Sequence, residues 1–476
     1  MTNNNLLKKF FTFFYGSGIG LLIGLVTTFI STRLLPPEDF GKASMFTLSV
    51  NLLMIFILFG TDQAFVRFFY EENKELRPRL LLNTMRIPTM LFLLIFSIIF
   101  IFRDQIMILI LNENDLKVLA VLISSIAFQF LYRFALLVIR MQQKGHLYSS
   151  LEILNKSLNL ILLVILYYII GPRYQIIIYS IGITLIVVTI VAIRIEKEFW
   201  KPSSIITAKT RHSQSDIFKF SYPLLLTTLI TWLFESFDKI ALRQWTDFEE
   251  LGLYSAAFKI VALLNVVQAS FSTFWSPVCY EHFEKHPDDQ EFFSMTSKII
   301  GLIMFTIGVL SILFKDVIVM LLGTDYKQAA TIMPFLIFMP MMYTLSETTV
   351  IGINFFKKTK YHILIAGISG LINILGNIAL VPLYGAEGAA LSTGISFIIF
   401  FLMRTHISKK YYPVKYGLKR VYLLIGLIFG YALINMFWPY HLFTYLTGAL
   451  IIIFILMLYI KELKFISRII IKNRKV

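Results

Sequence analysis

The chain holds a single cysteine, Cys279, among 476 residues. One thiol excludes an intrachain disulfide and any metal site built from several cysteines. Charge is scarce too. Asp, Glu, Lys and Arg together make 15% of the residues, and almost no polar stretch is long enough to cover a soluble core. A Gly-x-x-x-x-Gly-Lys phosphate loop is missing, so ATP has no obvious seat. His-Glu-x-x-His and Gly-x-Ser-x-Gly are missing as well. The histidines are scattered, and His282 and His286 at i, i+4 are half a metal site at most. With Glu281, Glu284 and Asp288 beside them, they read as a solvated loop helix. These gaps argue against an enzyme and a soluble protein.

What is present is apolar. The hydrophobic fraction is 57% and the mean hydropathy +0.75, against roughly 45–50% apolar residues in soluble domains. The excess falls in runs of about twenty residues, long enough to cross a ~30 Å hydrocarbon core. Backbone groups must pair internally in lipid, so the runs are expected to be helices. About fourteen spans are predicted: 10–32, 42–62, 80–102, 117–140, 149–170, 174–194, 217–242, 252–275, 296–321, 329–355, 362–382, 387–407, 420–437 and 440–460. The first follows Lys8 and Lys9 and is too long for a signal peptide, so it is expected to be retained. Gly171-Pro172 and Phe437-Trp438-Pro439-Tyr440 separate neighbouring spans.

The formal charge of +16 would suit a nucleic-acid partner in a soluble protein; here it is a topology signal. With the N-terminus inside, about 30 of the 44 Lys and Arg residues lie in cytoplasmic segments and about 8 outside. Both termini are then expected in the cytoplasm. The outer loops are short and lack the acidic cluster that a membrane polymerase or glycosyltransferase would need.

A short repeat suggests internal symmetry. Glu38-Asp39-Phe40-Gly41-Lys42-Ala43-Ser44 leads into the second span, and Glu249-Glu250-Leu251-Gly252-Leu253-Tyr254-Ser255 into the eighth. Six helices apart and in one orientation, they imply two related halves, a known carrier plan. The expected division is an N-lobe at 1–195, a basic linker at 196–215, a C-lobe at 216–408, and two further helices with a basic tail at 409–476.

Four segments carry a resemblance: Arg33-Leu34-Leu35-Pro36-Pro37-Glu38-Asp39-Phe40-Gly41; Gly60-Thr61-Asp62-Gln63-Ala64-Phe65-Val66-Arg67-Phe68; Phe237-Asp238-Lys239 with Leu251-Gly252-Leu253-Tyr254-Ser255-Ala256-Ala257-Phe258-Lys259; and Pro382-Leu383-Tyr384-Gly385-Ala386-Glu387-Gly388-Ala389-Ala390. In order and spacing they resemble the polysaccharide exporters, the Wzx-like O-antigen flippases, of the multidrug/oligosaccharidyl-lipid/polysaccharide flippase superfamily. The resemblance implies an all-α membrane protein of two pseudo-symmetric six-helix lobes, V-shaped around a central cavity. It also implies a carrier in the bacterial cytoplasmic membrane that moves polyprenyl-pyrophosphate-linked sugars for surface polysaccharide, such as lipopolysaccharide, by alternating access. Its partners would be that glycolipid, membrane lipids, and polysaccharide polymerase and glycosyltransferases, with no nucleic acid. No cofactor is implied beyond a coupling ion, H+ or Na+. Rival readings are a lipid II flippase and a cation-coupled multidrug antiporter; the latter should have a cavity rich in carboxylates. Arg33, Pro37, Gly41, Asp62, Arg67, Gly252 and Tyr254 are the expected gating or structural positions.

Charges within spans are costly and need a reason. Arg86, Arg133, Glu152, Lys156, Asp238, Lys239, Lys259 and Glu347 qualify. A cationic, hydrated cavity would meet a pyrophosphate, with arginine giving bidentate contacts and lysine a point charge. The candidate cargo-binding residues are therefore Lys259, Lys239, Asp238, Arg133, Arg86 and Lys156. The plainer alternatives are snorkelling for Arg86, Lys156, Asp238 and Lys239, mutual neutralisation of Glu152 and Lys156, and an Arg133–Glu347 pair. Gly16, Gly20 and Gly24 line helix one for close packing or sliding. Pro88, Pro223, Pro334 and Pro340 are expected to kink their helices. Tyr15, Tyr70, Trp200, Trp245, Trp275 and Trp438 read as an interfacial belt, with sugar stacking a further role for Trp245 and Tyr254.

The topology makes a direct prediction. In a Cys279→Ser background, Asn114→Cys reacts with a membrane-impermeant maleimide on intact cells, whereas Lys358→Cys reacts only after permeabilisation. The reverse pattern would overturn the orientation.

Overall fold

The computed structural model describes residues 3–201, 210–438 and 441–473. The middle of the basic linker and the Pro439-Tyr440 turn lie outside the described residues. Every regular element among the described residues is helical: α1 Asn3–Leu34, α2 Pro37–Leu58, α3 Thr61–Phe68, α4 Arg77–Ile101, α5 Arg103–Leu111, α6 Leu116–Met141, α7 Gly145–Ile170, α8 Gln175–Ile195, α9 Gln214–Trp245, α10 Phe248–Lys285, α11 Gln290–Leu313, α12 Lys315–Val319, α13 Ala329–Leu336, α14 Phe338–Thr349, α15 Ile351–Phe355, α16 Lys360–Tyr411, α17 Leu418–Phe437, α18 His441–Leu458 and α19 Ile460–Asn473. Eleven helices among the described residues are long and apolar enough to span a bilayer, and Gly18–Leu34 and Leu442–Leu458 are shorter apolar stretches. The expected number of fourteen is not reached by this measure. One reason is that α16 is counted once, although non-helical Gly385 divides it into two limbs that match the expected 362–382 and 387–407 spans.

The helix ends follow local chemistry. Asp115, Asp247 and Asp289 accept backbone N–H bonds at the starts of α6, α10 and α11, the usual use of a short carboxylate at an N-cap. The Phe292 N–H and the His282 ring hold the Asp289 carboxyl below its ordinary range. The expected second span is cut short at Leu58, because Phe59 and Gly60 both adopt positive φ (52° and 77°). Asp62 and Arg67 therefore sit on the separate helix α3. The expected 329–355 span is likewise divided, with Ile337 between α13 and α14 and Pro334 and Pro340 on either side.

The chain forms two compact units, Met1–Trp232 and Leu233–Val476. The division falls inside α9. In the first unit, Ile57, Phe65, Leu80, Phe134 and Val138, with Phe69 just past α3, form the main apolar core, drawn from α2, α3, α4 and α6. Helices α1 and α7 pack together where glycine allows it: a Cβ on Gly16 would lie 2.5 Å from the Ser149 Cα. Gly20 faces Lys156, whereas Gly18 and Gly24 meet nothing within 4 Å, so only part of the glycine stripe is a packing face. In the second unit α13 and α14 are central, with 83% of their apolar window buried. An aromatic cluster of Trp275, Phe293, Tyr412 and Tyr416 closes one end of the unit.

The sequence repeat has a counterpart in each unit. Asp39, at the start of α2, accepts a 2.9 Å bond from the Tyr174 N–H beside α8. Glu250, at the start of α10, accepts a 2.8 Å bond from the Ala386 N–H in α16. In both cases the second acid of the motif ties a long helix to a later hairpin of its own unit. Gly41 and Gly252 are buried behind them.

Gly385 is the backbone position on which the second hairpin depends. Its φ of 54° and ψ of −133° disfavour any side chain, and a Cβ there would stand 2.7 Å from Glu250 Oε2. Gly385→Ala is predicted to destabilise the folded protein by about 1–3 kcal/mol. Thermal unfolding in detergent checks this; an unchanged midpoint would refute it.

Candidate functional site

The strongest polar constellation lies inside the second unit, around one carboxylate. Asp238 is on α9 and 2% exposed. It accepts hydrogen bonds from Asn377 Nδ2 at 2.7 Å, Asn373 Nδ2 at 3.1 Å and Thr393 Oγ1 at 2.6 Å, and from the Tyr254 hydroxyl. An ionised carboxylate out of water needs such donors. The fold delivers them because α16 turns back at Gly385. Asn373 and Asn377 lie one turn apart on its first limb, and Thr393 lies on the second. Small residues let the limbs close: a Cβ on Gly376 would approach the Ser392 Cβ to 3.1 Å. Ser392 donates to the Asn373 carbonyl at 2.8 Å. The Asn377 Oδ1 is buried without a hydrogen-bond partner. Two amide N–H groups and two hydroxyls thus all donate toward one carboxylate, a shell that stabilises its ionised form. Enclosure thus replaces the snorkelling considered for Asp238. Lys239, next in sequence, is half-buried, with its ammonium 5.4 Å from the Phe258 ring centroid.

A second ionic pair is buried in the same unit. Arg404 Nη1 lies 2.9 Å from Glu347 Oε1 and donates to Ser346 Oγ at 2.6 Å. Its guanidinium also faces the Phe400 and Tyr343 rings, at 5.1 and 5.4 Å. Trp275 donates through Nε1 to the Glu347 carbonyl at 3.2 Å and is 3% exposed. Trp275 is therefore core and not part of an interfacial belt. Trp245 and Trp438 are exposed as a belt requires.

The first unit pairs its charges differently. Arg133 on α6 holds Asp62 of α3, with Nη2 at 2.8 Å and Nε at 3.1 Å from Oδ2. The Arg133–Glu347 pair entertained from sequence is corrected on both sides, since Glu347 belongs to Arg404. Arg67 pairs with Glu71 along its own chain. Pro37 opens α2 at a position where its missing N–H costs nothing. Arg33 is exposed at the end of α1. Tyr254, expected at a gating position, serves Asp238.

Of the remaining cargo-binding candidates, Arg86 on α4, Lys156 on α7 and Lys259 on α10 are exposed along their spans, and Glu152 is half-buried. Sequence reasoning missed Asn373, Asn377, Thr393, Arg404 and Glu235. Two amides four residues apart within an apolar run were the available signal for the first pair. Glu235, one turn before Asp238 and exposed, was legible as a further charge in the span. His282 bonds Asp289 at 2.9 Å and stacks on Phe292. Among the described residues no three metal-ligating side chains of His, Cys, Asp or Glu cluster.

Solved structures share this architecture. The lipid II flippase MurJ, in an inward closed conformation, superposes with a TM-score of 0.67 at 19% identity, covering 95% of this chain and 99% of that one. An inward-facing MATE-family multidrug resistance transporter gives 0.62 at 14% identity, covering 85% and 95%. A Vibrio cholerae MATE transporter, VcmN, gives 0.55 at 14%, covering 86% and 97%. The protein is thus a multi-pass membrane protein with the fold of the multidrug/oligosaccharidyl-lipid/polysaccharide flippase transporters. A family model described as polysaccharide biosynthesis protein matches residues 6–283, more than half of the chain, and the chain belongs to that family. No curated protein matches it in sequence.

Removing one member of the buried pair leaves the other charge uncompensated. Arg404→Met is predicted to cost about 3 kcal/mol or more, and Glu347→Gln with Arg404→Met to recover at least half of that. A double-mutant cycle on unfolding in detergent measures the coupling; additive losses would refute it.

Proposed function

We propose that the protein is a carrier that moves a polyprenyl-pyrophosphate-linked oligosaccharide across the bacterial cytoplasmic membrane for surface polysaccharide synthesis. The observation that carries this reading is the sign of the charge left accessible along the spans. Asp62 and Asp238 are buried and Glu347 is half-buried, whereas Arg86, Lys156 and Lys259 are exposed. Glu235 and the half-buried Glu152 are the acidic exceptions. An excess of exposed cations suits an anionic head group, and an antiporter for cationic drugs would want the carboxylates open. Membership of a polysaccharide biosynthesis family supports the same cargo class. The sugars would be made by glycosyltransferases on one side and joined by a polymerase on the other; the chain itself acts as a carrier and not a catalyst.

In this reading Lys259, with Lys239, engages the pyrophosphate, and the apolar tail stays in lipid. Alternating access would expose the head group to each side in turn. The driving ion, H+ or Na+, is assigned to the Asp238 carboxylate, which either can neutralise. When bound, the ion supplies a positive charge that neutralises Asp238. Asn373, Asn377, Thr393 and Tyr254 hold that carboxylate in place, and an ion arriving there would compete with their donors. This links occupancy to the packing of α9 against both limbs of α16.

The test uses the full chain in proteoliposomes with a fluorescent polyprenyl-pyrophosphate oligosaccharide and lipid II as the rival cargo. Lys259→Ala is expected to lower the transport rate at least about tenfold, a loss near 1.4 kcal/mol, without altering insertion. Asp238→Asn is expected to abolish stimulation by a Na+ or pH gradient. Equal rates in Lys259→Ala would remove the cargo site, and preferential transport of lipid II would replace the cargo.

A further inference from the structure

Helix α4 carries a pocket around Arg86, one of the exposed cations on which the transport reading rests. Arg79, Leu82, Asn83, Met85, Arg86, Thr89 and Met90 line a pocket of about 450 Å³ on the first unit. Arg79 and Arg86 are seven residues apart, so they lie on one helix face about 10 Å from each other along the axis. The pocket sits in the first half of the span Lys74–Ile101, the half that the charge count assigns to the cytoplasmic leaflet. Its chemistry is graded. Arginine and asparagine stand at the polar end, while Met90, 71% exposed, and Leu82 give an apolar wall with the adaptable packing of methionine.

Arg86 differs from the other arginines of the spans. Arg133 and Arg404 each meet a carboxylate. Among the described residues Arg86 has no ion-pair or hydrogen-bond partner, although a cation at this depth is costly without one. The wall around it is fixed. Asn83 Nδ2 donates to Thr210 Oγ1 at 2.9 Å, and Gln214 Nε2 donates to the Asn83 carbonyl at 2.9 Å. The end of the linker is thus pinned beside the pocket, with the Arg211 N–H bonded to Glu72 at 2.9 Å.

We propose that this pocket binds the phosphate of a membrane amphiphile, with Arg86 on the phosphate oxygens and the acyl or prenyl chain along Leu82 and Met90. The shared chemistry is a lipid phosphate. Its source is either an acidic phospholipid of the leaflet or the pyrophosphate lipid awaiting transport. The proposal stands whether or not the chain carries a glycolipid.

The experiment places the full chain, with Cys279→Ser and a fluorophore on Met90→Cys, in phosphatidylcholine nanodiscs. Phosphatidylglycerol with brominated chains is expected to quench at an at least fivefold lower mole fraction than brominated phosphatidylcholine. Arg86→Gln should erase that preference, and Arg86→Lys should keep part of it. Because Arg86 is exposed, these variants are expected to elute as wild type does. Relief of quenching by added polyprenyl pyrophosphate would assign the site to the cargo; no relief would assign it to bulk acidic phospholipid. Equal quenching by both brominated lipids, an unchanged preference in Arg86→Gln, or relief by inorganic pyrophosphate alone would overturn the proposal.

Discussion

A charge carried out of water must bring its own solvation, and much of this protein's interior is organised by that demand. Asp238 is the clearest case. Its carboxylate is surrounded by two amides and two hydroxyls from three separate stretches of chain. For those groups to converge, α16 must reverse at Gly385 and its two limbs must approach at Gly376 and Ser392. Backbone conformation, small-residue packing and electrostatics therefore meet at one residue. The Arg404–Glu347 pair applies the same rule with an opposite charge in place of neutral donors.

The sequence made the architecture legible because bilayer thickness imposes a length on apolar runs. Each of the expected spans falls largely on helix, and the family resemblance matches the family to which the chain belongs. Span boundaries were less legible. The stop at Leu58 rests on a left-handed Phe59, a conformation that no apolar pattern announces. The tight reversal between the two limbs of α16 rests on one glycine whose neighbours look like an ordinary loop.

The site was only half legible, for a related reason. Acids and bases inside apolar runs stand out, so Arg133, Asp238 and Glu347 were found, and Asp62 was marked by the family resemblance. Their partners were not. Asp62 meets Arg133 across 71 positions and Asp238 meets Thr393 across 155. Asn373, Asn377 and Thr393 are polar but neutral, and such residues are common in membrane helices. Only the packing of α9 against both limbs of α16 makes them a cluster. Trp275 erred the other way: an aromatic near a helix end suggested a water boundary, but its indole is used inside the second unit.

The paired bonds onto Asp39 from the Tyr174 N–H and onto Glu250 from the Ala386 N–H have a mechanical consequence. One acid is aspartate and the other glutamate, so the two fasteners differ in reach by one methylene. Each grips main chain and not a side chain, so the joint does not depend on which residue supplies the N–H. Away from these joints the two units differ: one carries an arginine-bound aspartate, the other a carboxylate wrapped in amides and hydroxyls.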